Sequence, residues 1–381
     1  MNPSSLLREA RSRCDALLEL APDIERERRV PESLAAELSA AGFYRMLVPE
    51  SLGGGEVHPQ VFVDVLEALG QGDGATAWTV MTGSTTGLLA AYLPRAGAET
   101  LFRDAAIIPA GVFAPMGRAR VVDGGYRLTG RWPFTSGIDN AAIRLGGGLV
   151  VDESGAPRTL ANGAPEVRSF FVRREESSMV DTWRTSGLRG SGSHDMVVED
   201  VFVPAEHTTC VFVDEPTESG RLYRFPLFGL LALGVSAVGL GIARAALEEV
   251  SALAARKKRG RKSLAESELT QIRVARSSSQ LDAARALIRV TIDDAWSAPG
   301  ALDVSMRARL RMAASHAAET AAKVVDVAYH LGGGASIYEK SPLQRHFRDV
   351  HTMTQHIMVN EASFKVPGRI LLGLETDVSQ L

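Results

Sequence analysis

Apolar positions recur at three- and four-residue spacing over residues 4–20 and 31–43, the signature of helices with one buried face. Pro31 followed by Glu32 suits a first helical turn. A Pro- and Gly-rich stretch, "LVPESLGGGEVHPQ", reads as a loop, and helices resume over 60–71 and 75–92, the second rich in small residues. Beyond residue 107 the period changes. β-Branched runs, a "DGG" turn at 123–125 and alternation in "GGYRLTGRW" predict strands, continued by "EVRSFFVRREE" and "SHDMVVEDVFVPAEH". The polar "DESGAPRTLANGAPE" between them predicts a surface hairpin loop. From residue 226 the helical period returns, with helices expected over 228–257, 266–296, 302–331 and 343–372. Short connections such as "SAPGALDV" predict an up-down bundle. The expectation is an α+β multidomain chain: an N-terminal helical domain (1–107), a β-domain (108–213) and a C-terminal helical bundle (226–381).

Composition narrows the function. With 381 residues, 45% hydrophobic and 23% charged, and a net charge of −3, the chain has no general field for nucleic acid or an anionic membrane. Cys14 and Cys210 form no C-x-x-C pattern, which fits a reducing compartment and makes the cytoplasm the expected location. The charged N-terminus lacks the apolar core of a secretory signal. Residues 227–247 are apolar enough to cross a bilayer, yet they carry glycines and run directly into "EEVSALAARKKRGRK", which predicts a helix buried on all sides. The "GLGIA" inside this run is followed by basic residues instead of a second strand ending in an acid, so a dinucleotide fold is excluded.

Four stretches carry candidate chemistry. "GRWPFTSG" (130–137) can lay an aromatic side chain against a planar ring while Thr135, Ser136 and backbone N–H groups reach its polar edge; a buried tryptophan at a strand end is the plainer reading. "WRTSGLRGSGSHD" (183–195) is a glycine-rich turn entering a strand, either a phosphate cradle or a simple hairpin. "AARKKRGRK" (254–262) places cations where a helix C-terminus favours them, or where a phosphate is bound. Gly332, Gly333 and Gly334 exceed the single glycine a helix cap needs, which suggests a close approach by a backbone or a ligand. In "RDVHTMTQH" (348–356), His351 and His356 are five residues apart, about 140° around a helix, so only one faces a given pocket.

Taken in order, these motifs resemble the acyl-CoA dehydrogenase superfamily over nearly the whole chain: "VPESLGGGEV", "GLRGSGSHDMVVEDVFVP" and "HLGGGASIYEKSPLQRHFRDV" carry the likeness. The resemblance implies the acyl-CoA dehydrogenase fold, with a central β-barrel-like domain, a C-terminal four-helix bundle, a flavin between domains and a homotetramer. Two departures point to one branch. "TQHIMVNEA" stands where dehydrogenases have the segment bearing the catalytic glutamate, and "VFAPMG" (112–117) replaces their Thr-Glu-Pro flavin loop. Both resemble the flavin-dependent monooxygenases of this fold, the two-component aromatic hydroxylases and their indole- or indoleacetate-oxidising relatives. In these, reduced flavin (FADH2 or FMNH2) from a separate NAD(P)H flavin reductase meets O2 to give a C4a-hydroperoxide that hydroxylates a small aromatic or indole-like substrate.

By that resemblance His356 is the catalytic group and Ser136 meets the flavin edge or a substrate polar group. Phe113, Trp132, Thr135 and Trp183 line the ring, Arg256 meets flavin phosphate across a subunit boundary, and Gly332 and Gly333 admit the cofactor tail. No metal site is expected. Since no histidine lies between His58 and His194, Ser84–Thr86 are the remaining polar candidates for anchoring substrate. The rival readings are an acyl-CoA dehydrogenase using Glu339 or Glu361 as a displaced base, and a non-catalytic scaffold without flavin.

Overall fold

A computed structural model describes residues 3–381, the side chains of Pro3 and Arg259 excepted; the first two residues of the expected 1–107 unit lie outside the described residues. The N-terminal part holds α1 (Pro3–Ser12), α2 (Cys14–Glu27), α3 (Glu32–Ala40), α4 (Pro59–Gly72), α5 (Gly74–Leu88) and α6 (Arg95–Phe102). Asp73 caps α5, accepting from Thr76 N–H at 2.7 Å.

The strands follow: β1 (Pro109–Val122), β2 (Gly125–Thr135), β3 (Ile143–Val151), β4 (Val167–Arg173), β5 (Ser178–Val180), β6 (His194–Pro204) and β7 (Thr208–Thr209). They form one open sheet in the order β5-β6-β2-β1-β3-β4-β7, antiparallel except for the β1–β3 pair. Trp132 explains the sheet's glycines. A Cβ at Gly117, Gly130 or Gly146 would fall 2.4, 2.5 or 2.6 Å from indole atoms, so three strands leave out side chains to admit one ring. The indole is wholly buried and its Nε1–H donates to the Gly147 carbonyl at 2.7 Å. Its expected place beside a flavin is therefore corrected: Trp132 is the core of the β-domain, as the plainer reading of that motif has it.

The C-terminal bundle comprises α7 (Leu227–Arg256), α8 (Glu268–Ser297), α9 (Val304–Gly332), α10 (Pro342–Met353) and α11 (Lys365–Leu371), with a short hairpin of β8 (Lys258–Arg259) and β9 (Lys262–Ser263) after α7. Among the described residues α7 is long and apolar enough to cross a membrane, but its apolar face is enclosed by α4, α5, α9 and α10. Its glycines set that packing: a Cβ on Gly241 would sit 2.3 Å from the Glu67 carbonyl of α4. Helix α7 is thus a core helix of the folded chain.

The expected last helix, 343–372, is broken. Helix α10 stops at Met353, and the chain turns with His356 N–H donating to Met353 O at 3.0 Å before a 3-10 turn over Glu361–Phe364. Thr352 and Thr354 turn their hydroxyls onto the Arg348 and His351 carbonyls, which weakens the helix where it ends.

Candidate active site

The break in α10 removes His356 from the helix and sets it against α5. Its imidazole meets the Trp78 indole edge-on, centroids 5.5 Å apart at 74°. His356 keeps partial exposure, but protein encloses most of the ring, and that burial, with the nearby Arg311 guanidinium, pushes its pKa down to about 4. Neutral histidine carries one ring proton. Because Nδ1 accepts from Met358 N–H at 3.3 Å, the proton resides on Nε2, and His356 presents a donor to its surroundings. His351 remains on α10, paired with Asp326 of α9 at 2.8 Å.

Trp78 joins this histidine to the end of β2. Its Nε1–H donates to Ser136 Oγ at 3.0 Å. The chain reverses there: Phe134 takes a left-handed φ of 66°, Ser136 N–H donates to Phe134 O at 2.9 Å, and Gly137 N–H donates to Ser191 O at 2.8 Å. The reversal leaves the Phe134 ring 66% exposed and edge-on to Trp183, centroids 6.0 Å apart. The Thr135 hydroxyl is buried and spent on the Trp132 carbonyl at 3.1 Å, so its side chain does not take the expected role at a ring edge.

The 183–193 turn is fixed from two sides. Arg28, just after α2, forms a two-pronged pair with Asp181 at 2.6 and 2.7 Å and donates to Trp183 O at 3.0 Å. From α10, Asp349 accepts from Leu188 N–H at 2.6 Å and Arg348 donates to Ser186 O at 2.5 Å. A Cβ on Gly187 would lie 2.1 Å from the Arg348 carbonyl, so the glycine lets backbone meet backbone. Burial pushes the Asp349 carboxyl up to about 7, against the opposing effect of the Leu188 hydrogen bond.

The remaining expected residues fall elsewhere. Phe113, on the irregular stretch of β1, packs against a cluster holding Val48, Leu89 and Leu145. Arg256 is exposed at the end of α7, 3.7 Å from Glu249. Beside it Lys257 donates to Gly332 O at 2.7 Å, so Arg256, Gly332 and Gly333 do gather at one end of the bundle. The chain itself supplies the close approach at Gly332, where a Cβ would strike Ser336 Oγ at 2.0 Å, and Gly333, at φ 54°, caps α9. Ser84, Thr85 and Thr86 spend their hydroxyls on the carbonyls of Phe43, Met81 and Thr82. Glu339 and Glu361 are exposed, which removes both as buried bases. Sequence reasoning missed Trp78, Ser191, Ser193, Arg28 and Asp349. Ser191 and Ser193 lie within the 183–195 motif and Asp349 within 348–356, but no local signal marked their partners; Trp78 stood out only as a lone large ring in a helix of small residues.

The residues present fit a flavin. Phe134 offers exposed aromatic surface beside half-buried Trp183, Ser136 adds a hydroxyl, and buried Arg189 Nε in the turn and Asn360 Oδ1 beyond His356 lack partners. An open sheet between two helical units, with a neutral imidazole against Trp78, itself bonded to Ser136, fits a flavoprotein. Family models for the acyl-CoA dehydrogenase N-terminal and C-terminal domains match residues 4–103 and 233–361. Indole-3-acetate monooxygenase of Pseudomonas putida is 34% identical over 356 residues, 92% of this chain and 89% of that protein. The flavin-dependent monooxygenase oxygenase subunit HsaA of Rhodococcus jostii is 30% identical, covering 90% of this chain and 93% of its own. XiaF from Streptomyces sp., solved with FADH2 and glycerol, superposes with a TM-score of 0.90 at 27% identity, over 98% of this chain and 96% of that one. The chain belongs to the acyl-CoA dehydrogenase superfamily, within its flavin-dependent monooxygenase branch. It is an oxidoreductase.

Proposed function

We propose that the protein is an oxygenase component that receives reduced flavin from a separate NAD(P)H flavin reductase and hydroxylates a small aromatic or heteroaromatic substrate, indole-like compounds first. The observation that carries this reading is His356: a neutral imidazole, donor outward, against Trp78 where a dehydrogenase of this fold needs a carboxylate base. Reduced flavin, when bound, supplies the electrons that activate O2 for insertion of one oxygen atom into the substrate.

The protein's own residues bind, orient and shelter. His356 donates from Nε2–H to oxygen or to a substrate acceptor, and stays neutral at physiological pH. Trp78 provides an apolar wall and, through Nε1, fixes the Ser136 hydroxyl. Phe134 and Trp183 would hold the flavin ring, and Ser136 would meet its edge. Arg256 would serve a flavin phosphate on a neighbouring subunit of a homotetramer. Helix α8 supports that assembly: Leu269 with Ile272, and Leu287 with Val290, are two exposed apolar pairs on the face away from its buried Leu281, Ala284, Ile288 and Ile292. Two free cysteines suit the reducing cytoplasm. Stopped-flow mixing of the protein and reduced flavin with O2 and indole tests the reading. Hydroxylated product confined to reactions with reduced flavin supports it; flavin oxidised at the protein-free rate without product overturns it.

A further inference from the structure

Behind Ser136 lies a row of three buried hydroxyls whose proton order follows from its two ends. Ser136, Ser193 and Ser191 are each at most 4% exposed, with Oγ–Oγ separations of 2.7 Å between Ser136 and Ser193 and 2.7 Å between Ser193 and Ser191. At one end the Trp78 indole N–H only donates, so Ser136 Oγ accepts it at 3.0 Å. At the other the Leu188 carbonyl only accepts, so Ser191 Oγ donates to it at 2.7 Å. Each hydroxyl owns one proton. With Ser191's proton given to Leu188, the Ser193–Ser191 bond uses Ser193's proton, and the Ser136–Ser193 bond uses Ser136's. The row is polarised one way, from Trp78 through Ser136, Ser193 and Ser191 to Leu188.

Ser136 is left with one lone pair and no proton for its remaining direction. The opposite polarity would face two lone pairs at 2.7 Å between Ser191 and Leu188 and send Ser136's proton to Phe134 O at 3.5 Å, a marginal contact. That order would free the Ser136 proton to turn elsewhere, and the loss of the Leu188 contact disfavours it.

Reduced flavin carries an N–H at N5; oxidised flavin presents a bare acceptor there. We infer that Ser193 and Ser191 are positioning residues that hold Ser136 as an obligate hydrogen-bond acceptor, so that the site takes reduced flavin in preference to oxidised flavin. This deepens the reading that Ser136 meets the flavin edge, and rests on it. Its use to a two-component oxygenase is direct: reduced flavin is captured, and spent flavin is released to the reductase.

The test is anaerobic calorimetry of the full chain with FAD and with FADH2. Wild type is expected to bind FADH2 at least tenfold more tightly. In Ser193→Ala the Ser136 proton is released to turn toward N5, so affinity for oxidised FAD should rise and the reduced-to-oxidised ratio fall about tenfold; Ser193→Thr should restore the ratio. Ser191→Ala provides an independent second variant, since Ser193 can then donate back to Ser136 with the same effect. A merely structural role would weaken both flavins together, and that result, or equal wild-type affinity for the two, overturns the inference. Wild type binding neither flavin overturns the site reading itself and this inference with it.

Discussion

Replacing Asp349 by Asn removes a buried titratable group while keeping an acceptor for Leu188 N–H, and its effect should depend on pH in a calculable way. The carboxyl is 4% exposed and its pKa is pushed up to about 7 by burial, with the nearby Asp73 adding to the rise. A carboxyl whose folded pKa lies above its unfolded value, ordinarily near 4, binds protons more tightly in the folded state. Stability from this group is therefore complete below about pH 4 and lost as pH rises toward 7. The slope is at most about 1.4 kcal/mol per pH unit, which integrates to roughly 2 to 3 kcal/mol between pH 5 and 7.5. Urea unfolding of both proteins at several pH values across that range measures the difference. His356 and His346, both held neutral by burial, have folded pKa values lowered to about 4 and about 3; they contribute stability above their unfolded pKa that is lost as pH falls. They are common to both proteins and cancel in the comparison. Asp349→Asn should gain on wild type by roughly 2 to 3 kcal/mol over the range, and a pH-independent difference would refute the assignment of a buried, largely protonated carboxyl.

His356→Ala should lower hydroxylation about a hundredfold or more in a folded protein, read by product yield against thermal melting. Because His356 is neutral well below pH 6, the wild-type rate should show no limb near pH 6.5 that this substitution abolishes. Trp132→Ala should destabilise the chain by about 3 to 5 kcal/mol, since the three surrounding glycines offer nothing to fill the void; chemical unfolding measures it. Acyl-CoA thioesters added anaerobically to the protein with oxidised flavin should leave the flavin absorbance unchanged, because Glu339 and Glu361 lie in solvent; bleaching would restore the dehydrogenase reading.

The amino-acid pattern by itself determined where helices and strands alternate, because facing residues recur at 3.6 or 2 along the chain and burial selects for that recurrence. It marked α7 as a core helix, since glycines within an apolar run signal backbone contact with a neighbour. Motif order also carried the family, and with it the expectation placed on His356 and Ser136. Only the tertiary structure decided what faces what. Nothing local distinguished Trp132, filling the β-domain, from Trp78, which lies in no motif yet is placed between Ser136 and His356. The last helix looked continuous, because two threonines that bond back to carbonyls four and three residues earlier cost too little to register in periodicity. The polarity of the serine row depends on a carbonyl, an indole and three hydroxyls from β2, α5 and the 183–193 turn, brought within 3.0 Å by folding. Periodicity records which face is buried; hydrogen-bond direction exists only once the partners have met.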